Sequence, residues 1–141
     1  MGKETVGDLM SKQVVAVLPG DTVQEAARRM EENNLGSLPV VSAGQLRGIV
    51  TDRDIALRCV AGGRNAERVK VEEIMTRQVV FLTSGQPVND AVGMMEIEQV
   101  RRLPVVDNGV IAGVISVADV ARSRDDRTVA DLVEKICEPG R

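Results

Sequence analysis

Leu38-Pro39-Val40-Val41 and Leu103-Pro104-Val105-Val106 are one tetrapeptide written twice, 65 residues apart. The match extends outward on both sides without a gap. Downstream, Gly44, Gly48 and Asp54 fall on Gly109, Gly113 and Asp119. Upstream, Met10, Gln13, Val14 and Val15 fall on Met75, Gln78, Val79 and Val80, and Gly20, Val23, Ala26, Met30 and Glu31 fall on Gly85, Val88, Ala91, Met95 and Glu96. Over 6–56 against 71–121, 18 of 51 positions are identical, which chance does not produce in a single register. The chain is a tandem duplication, and its halves should share one fold and pack about a pseudo-twofold axis.

Each half reads β-α-β-β-α, a mixed α/β (α+β) pattern. Val14 to Val17 is a short apolar strand, ended by the breaker Pro19-Gly20. Thr22-x-x-Glu25 is a capping-box signature, and Val23, Ala26, Ala27 and Met30 follow at helical spacing. Asn33-Asn34 stops that helix. Ser37 to Val41 and Leu46 to Val50 are strands about an Ala43-Gly44 turn, and Thr51-x-x-Asp54 opens a helix to about Ala61. The second half repeats this with Val79 to Leu82, Val88 to about Glu98, Leu103 to Val106, Ile111 to Ile115 and a helix from Asp119.

A half of this size buries too little apolar surface to stand alone, so the sheets of the two are expected to pack on each other. The expected organisation is a first motif over 6–61, a linker over 62–70 carrying Gly62-Gly63-Arg64-Asn65, a second motif over 71–122 and a helical extension over 123–141. Thr5 to Met10 reads as a short helix that starts the first motif. In the extension, Val129, Leu132, Val133 and Ile136 form a one-sided apolar stripe. Two readings of it stand: a cap on the chain's own core, or a contact with another subunit or partner. Met10, Met30, Met75, Met94 and Met95 read as core fillers, and Arg28-Arg29 with Glu31-Glu32 as a solvated helix face.

Composition bounds what such a duplicated fold does. Of 141 residues, 43% are apolar and 28% charged, with a formal net charge of −3. That is the balance of a soluble globular chain, expected in the cytoplasm, and it disfavours nucleic acid as a partner. No apolar run reaches the ~20 residues that span a bilayer. The chain has no His, Trp or Tyr and a single Phe, Phe81. The commonest general base and metal ligand is therefore missing, and so are stacking platforms for single-stranded nucleic acid. Cys59 and Cys137 have no metal-ligand spacing and form no disulfide framework; they are two reduced thiols or a redox-sensitive or intersubunit pair. No nucleophile–base pair, metal cluster or glycine-rich phosphate loop is found, so an enzyme is not expected.

The segment with chemical content is the junction Gly48-Ile49-Val50-Thr51-Asp52-Arg53-Asp54, matched by Gly113-Val114-Ile115-Ser116-Val117-Ala118-Asp119. Gly48 and Gly113 leave room for a backbone or a ligand to approach. A carboxylate at the junction can accept from the vicinal hydroxyls of a ribose, and N–H groups at a helix start suit a phosphate. The bland alternative is that Thr51 with Asp54, and Ser116 with Asp119, are capping pairs and nothing more. The two roles are compatible.

The β-α-β-β-α order, the Leu-Pro-Val-Val strand and the Gly-x-x-Thr/Ser-x-x-Asp junction, twice in order, resemble the cystathionine-β-synthase (CBS) domain, and the pair resembles a Bateman module. The length and the C-terminal Val133-Glu134-Lys135-Ile136-Cys137-Glu138-Pro139 are similar to small stand-alone bacterial two-CBS proteins of the hypoxic-response type. The resemblance implies clefts between the motifs that take AMP, ADP, ATP or a related adenosyl ligand, with no obligatory cofactor. It places Asp54 and Asp119 on the ribose, Thr51 and Ser116 beside ribose or phosphate, and the adenine near Val15-Ala16 and Val80-Phe81. The segment before each Leu-Pro lines the cleft: Arg101-Arg102 as a phosphate grip in the second motif, Gly36-Ser37 in the first, which carries Arg53 in its junction instead. The clefts should therefore differ, the one with Asp54 and Arg53 having the fuller ligand set. A homodimer and an effector protein are the expected outputs. The competing expectation is a ligand-independent structural or interaction dimer.

Overall fold

The computed structural model describes residues 4–123 and 126–137; the expectations for Glu138 and Pro139 lie outside them. In chain order, α1 is Val6–Leu9, α2 Val23–Asn33, β1 Ser37–Ser42, β2 Gln45–Thr51 and α3 Asp52–Ile55, which continues as a π-helical turn over Ala56–Val60. A 3₁₀ turn at Val71–Glu73 precedes α4 Val88–Glu98, β3 Arg102–Asp107, β4 Val110–Ser116, α5 Val117–Ala121 and α6 Asp126–Ile136. No helix among the described residues is long and apolar enough to cross a membrane.

The chain folds as two compact units, and their borders do not follow the sequence repeat. One unit is the continuous stretch 15–79; the other joins 1–14 to 80–141. The lead segment of each repeat is thus built into the unit of the other repeat. In the 15–79 unit, Ile49 and Thr76 exchange backbone hydrogen bonds of 2.9 and 2.8 Å. In the other unit, Val114 and Ser11 exchange the corresponding pair at 3.0 and 2.8 Å. Gly48 and Gly113 make this possible: a Cβ would lie 2.7 Å from the Thr76 carbonyl oxygen in one case and 2.5 Å from that of Ser11 in the other. The close approach expected at these glycines is made by backbone. Helix α1, expected to open the first motif, packs with the second repeat, where Val6 is fully buried beside Leu82 and Val88. The stretch after Gly63 is likewise structural. The Val69 and Ala66 carbonyls accept from the Val23 and Gln24 N–H groups at the start of α2, and Val69 is buried.

Each unit holds one antiparallel hairpin, and the two hairpins are copies. β1 pairs with β2 and β3 with β4; both slip register at the same place, between Val40 and Val41 and between Val105 and Val106. Two-residue turns close them, Ala43-Gly44 and Asn108-Gly109, with all four residues at positive φ. The 15–79 core gathers Val17, Val23, Leu38, Val50 and Ile74; the other gathers Val6, Leu82, Leu103, Ile115 and Leu132. Met30, Met75 and Met95 are buried and Met10 and Met94 partly so, all packed in these cores.

The first expected strand of each half shrinks to one parallel bridge, Val17 to Val40 and Leu82 to Val105. Val14–Val15 and Val79–Val80 are where the chain leaves one unit for the other, so only the end of each apolar run has a partner strand. Leu132 and Ile136 of α6 belong to the core of their own unit, as the first reading of the extension had it.

Candidate functional site

Both strand-to-helix junctions close as reciprocal capping boxes. In the 15–79 unit the Asp54 N–H donates to Thr51 Oγ1 at 2.9 Å, and the Thr51 N–H donates to Asp54 Oδ2 at 3.0 Å. In the second-repeat unit the Asp119 N–H donates to Ser116 Oγ at 3.2 Å, and the Ser116 N–H to Asp119 Oδ2 at 2.9 Å. Thr51 and Ser116 are extended at φ −115° and −120°, the geometry an N-cap needs. The helix-start N–H groups expected to be open to a phosphate are largely occupied. Those of Asp52 and Val117 donate to the carbonyls of Gly36 and Arg101, each at 2.9 Å.

The second carboxylate oxygen of each Asp meets an arginine one turn along. Asp119 Oδ1 lies 2.6 Å from Arg122 Nη2, and Asp54 Oδ1 lies 3.7 Å from Arg58 Nε. The arginines reach on to the imported lead segments. Arg58 Nη1 donates to the carbonyls of Ile74 and Met75 at 3.1 and 3.4 Å, and Arg122 Nη2 to that of Leu9 at 3.4 Å. Asp54 and Asp119 are each only 8% exposed, and burial of a carboxylate demands this kind of pairing. Sequence inspection passed over Arg58 and Arg122, although their spacing of four and three residues from the acid was the available signal.

The other expected contacts separate by unit. Val15 and Ala16 are half-buried, and Arg29, expected in a solvated face, donates to the Ala16 carbonyl. Ser37 is half-buried and Arg53 exposed. Asp52 stands close by: its Oδ2 would lie 3.2 Å from a Cβ at Gly36, and its Oδ1 accepts from the Arg53 N–H at 2.8 Å. Anionic character thus gathers beside Gly36-Ser37. In the second-repeat unit, Val80 packs against the core and Phe81 is 49% exposed. There Arg101, Arg102 and Ser116 line a pocket of about 300 Å³. Val117 and Ala118 of α5 and Val133 and Ile136 of α6 complete it. Asp119, Val80 and Phe81 are not among its lining residues. A lining that combines two arginines with aliphatic residues suits an anion with an apolar portion.

The family model described as "CBS domain" matches residues 6–60 and again 71–126. A CBS domain-containing protein of Bacillus subtilis, YhcV, is 42% identical over 117 residues, covering 83% of each chain. Hypoxic response protein 1 of Mycobacterium tuberculosis is 29% identical over 136 residues, 96% of this chain and 95% of its own. A crystal structure of Hypoxic Response Protein I with two coordinated zinc ions superposes with a TM-score of 0.78 at 30% identity, covering 86% of this chain and 99% of that one. MJ1225 of Methanocaldococcus jannaschii, proposed to be an archaeal homologue of g-AMPK, gives a TM-score of 0.74 at 29% identity, covering 86% of this chain and 48% of that one.

Proposed function

The chain belongs to the CBS domain family, and from that premise we propose that it is a non-catalytic regulatory module that senses an adenine nucleotide. AMP, ADP, ATP or a related adenosyl compound is the ligand class, and a homodimer or an effector protein receives the signal. The observation that carries this reading is the pocket beside Arg101, Arg102 and Ser116. Its volume of about 300 Å³ is at the small end for organic ligands. Paired arginines suit the planar, multiply charged oxygens of a phosphate. The neighbour named for g-AMPK supports an adenosyl ligand.

In this mechanism Arg101 and Arg102 hold phosphate and Ser116 lies beside it. Asp119 takes the ribose hydroxyls of that ligand and Asp54 those of a separate ligand in its own unit, each through Oδ1 and each first giving up its arginine. Asp54 does so more readily, because Arg58 lies 3.7 Å away while Arg122 sits at 2.6 Å. Occupancy changes the module only as far as the ligand prefers one conformation over another.

Calorimetry with AMP, ADP, ATP and S-adenosylmethionine tests the proposal. At least one should bind with a Kd of roughly micromolar order. Asp54→Ala should weaken binding in its unit more than Asp119→Ala does in the other, and Arg101→Ala with Arg102→Ala should weaken binding at the pocket by roughly tenfold or more. No binding heat and no shift in melting with any of the four would end the reading.

The capping boxes favour one alternative, a ligand-independent interaction dimer in which both acids only hold the fold. The two Asp variants would then lose stability, by ~0.5–2 kcal/mol per cap, with no ligand-linked effect.

A further inference from the structure

The pocket's far wall comes from outside the duplicated motif. Val133 and Ile136 sit on α6, which lies almost wholly beyond the 71–126 match. The helix is fastened from below by Leu132, fully buried, and by Ile136, 8% exposed. Along its side, Lys135 Nζ lies 3.7 Å from Glu96 Oε2, and the Gln99 side-chain amide donates to the Lys135 carbonyl at 3.3 Å. At its end, Arg101 Nη2 reaches Cys137 Sγ at 3.6 Å. Arg101 is therefore both a wall of the pocket and a tie to the last turn of the helix. Val133, a large aliphatic residue, remains 40% exposed on the helix side away from the buried Leu132.

We propose that α6 is a ligand-contacting wall of this pocket, presenting Val133 and Ile136 to the apolar ring of a bound anion while Arg101 takes its charge. The site then depends on the C-terminal helix and not on the motif alone. Anion binding draws Arg101 from Cys137, so occupancy is passed directly to the end of α6. The inference rests on the proposed function for the identity of the ring, but its two contacts can be read without it.

The test uses the full chain and two probes, AMP and inorganic pyrophosphate, with two readouts. The first is the rate of Cys137 alkylation by iodoacetamide. Cys59 is buried and serves as the silent internal control. The second is calorimetric affinity in Val133→Trp, which fills the apolar side, and in Glu134→Trp, the same bulk at the next, exposed position of the helix. Pyrophosphate should change the Cys137 rate by about threefold or more, because it competes for the guanidinium. Val133→Trp should weaken AMP by about tenfold with an unchanged ligand-free melting temperature, and Glu134→Trp should leave it unaltered. If AMP binds equally to all three chains and Cys137 reacts at one rate throughout, α6 is no wall and the inference falls while nucleotide sensing stands. If none of AMP, ADP, ATP and S-adenosylmethionine binds but pyrophosphate still moves Cys137, the nucleotide reading falls and the coupling to α6 stands. If neither those four ligands nor pyrophosphate binds, both fall.

Discussion

Ala43 and Asn108 occupy the same place in the two hairpins, and the difference between them has an energetic consequence. Both are left-handed, at φ 52°, and each is followed by a glycine at positive φ. Asn tolerates this conformation through local side-chain hydrogen bonding, whereas Ala pays the full steric cost of its Cβ. Ala43→Asn, which copies the second repeat into the first, should therefore stabilise the protein by about 0.5–1 kcal/mol, read from denaturant unfolding. The reverse sign is expected at Gly113. An added methyl would stand 2.5 Å from the Ser11 carbonyl oxygen, which is backbone and cannot swing aside. Gly113→Ala should cost roughly 1–3 kcal/mol, and Gly48→Ala a comparable amount, both measured as a lowered unfolding midpoint with unchanged m-value.

At the scale of elements, the hairpins and the α2 and α4 helices were legible because their apolar spacing has only one solution. Short, β-branched apolar runs flank Ala-Gly and Asn-Gly, and Val23, Ala26 and Met30 repeat at helical spacing. The capping boxes were equally legible from Thr51-x-x-Asp54 and Ser116-x-x-Asp119. The spacing of Arg58 and Arg122 hinted at their pairing with the acids, but what the pattern could not contain was their reach to the carbonyls of Ile74, Met75 and Leu9. Nor could it place α6 against Arg101, because its apolar stripe looks the same whichever surface it covers. One tie between elements has a pH signature. Ser84 donates to Asp107 through Oγ at 2.6 Å and through its N–H at 2.9 Å, joining the loop before α4 to the end of β3. These two bonds hold the Asp107 carboxyl below its ordinary value of 3.8. A carboxyl whose pKa is depressed on folding stabilises the protein fully above its unfolded value and loses that contribution as pH falls through the folded value. Ser84→Ala should thus lower the melting temperature near neutral pH, and the gap to wild type should narrow as pH drops below about 4. A gap that is constant over the whole acid range would mean that Asp107 contributes nothing through ionisation.

At the scale of the molecule, the repeat seen in the sequence and the unit seen in the structure are different divisions of one chain. Duplication copied a stretch whose first residues complete the neighbouring copy, so Met10-Ser11 fits against Gly113 and Met75-Thr76 against Gly48. No periodicity argument distinguishes a lead segment that folds back on its own repeat from one that crosses over, because both register positions are identical. Fragments of equal length make the distinction measurable. Residues 15–79 contain the hairpin β1–β2, helix α2 and the buried Val69, Val71, Ile74 and Met75 that close their core. Residues 1–65 hold the same hairpin and helix but carry α1, whose Val6 belongs to the other core, in place of that closing segment. Losing Val69, Val71, Ile74 and Met75 removes four buried apolar side chains, each worth ~1.5–3 kcal/mol of burial, which exceeds the margin a domain of this size possesses. The 15–79 fragment, marginal at this size but with its core closed, should show a detectable melting transition by circular dichroism and residual protection of its core amides. The 1–65 fragment should show no cooperative transition and should exchange its amides at the rate of an unfolded chain. Equal melting of the two would show that crossing over of the lead segments contributes nothing to stability.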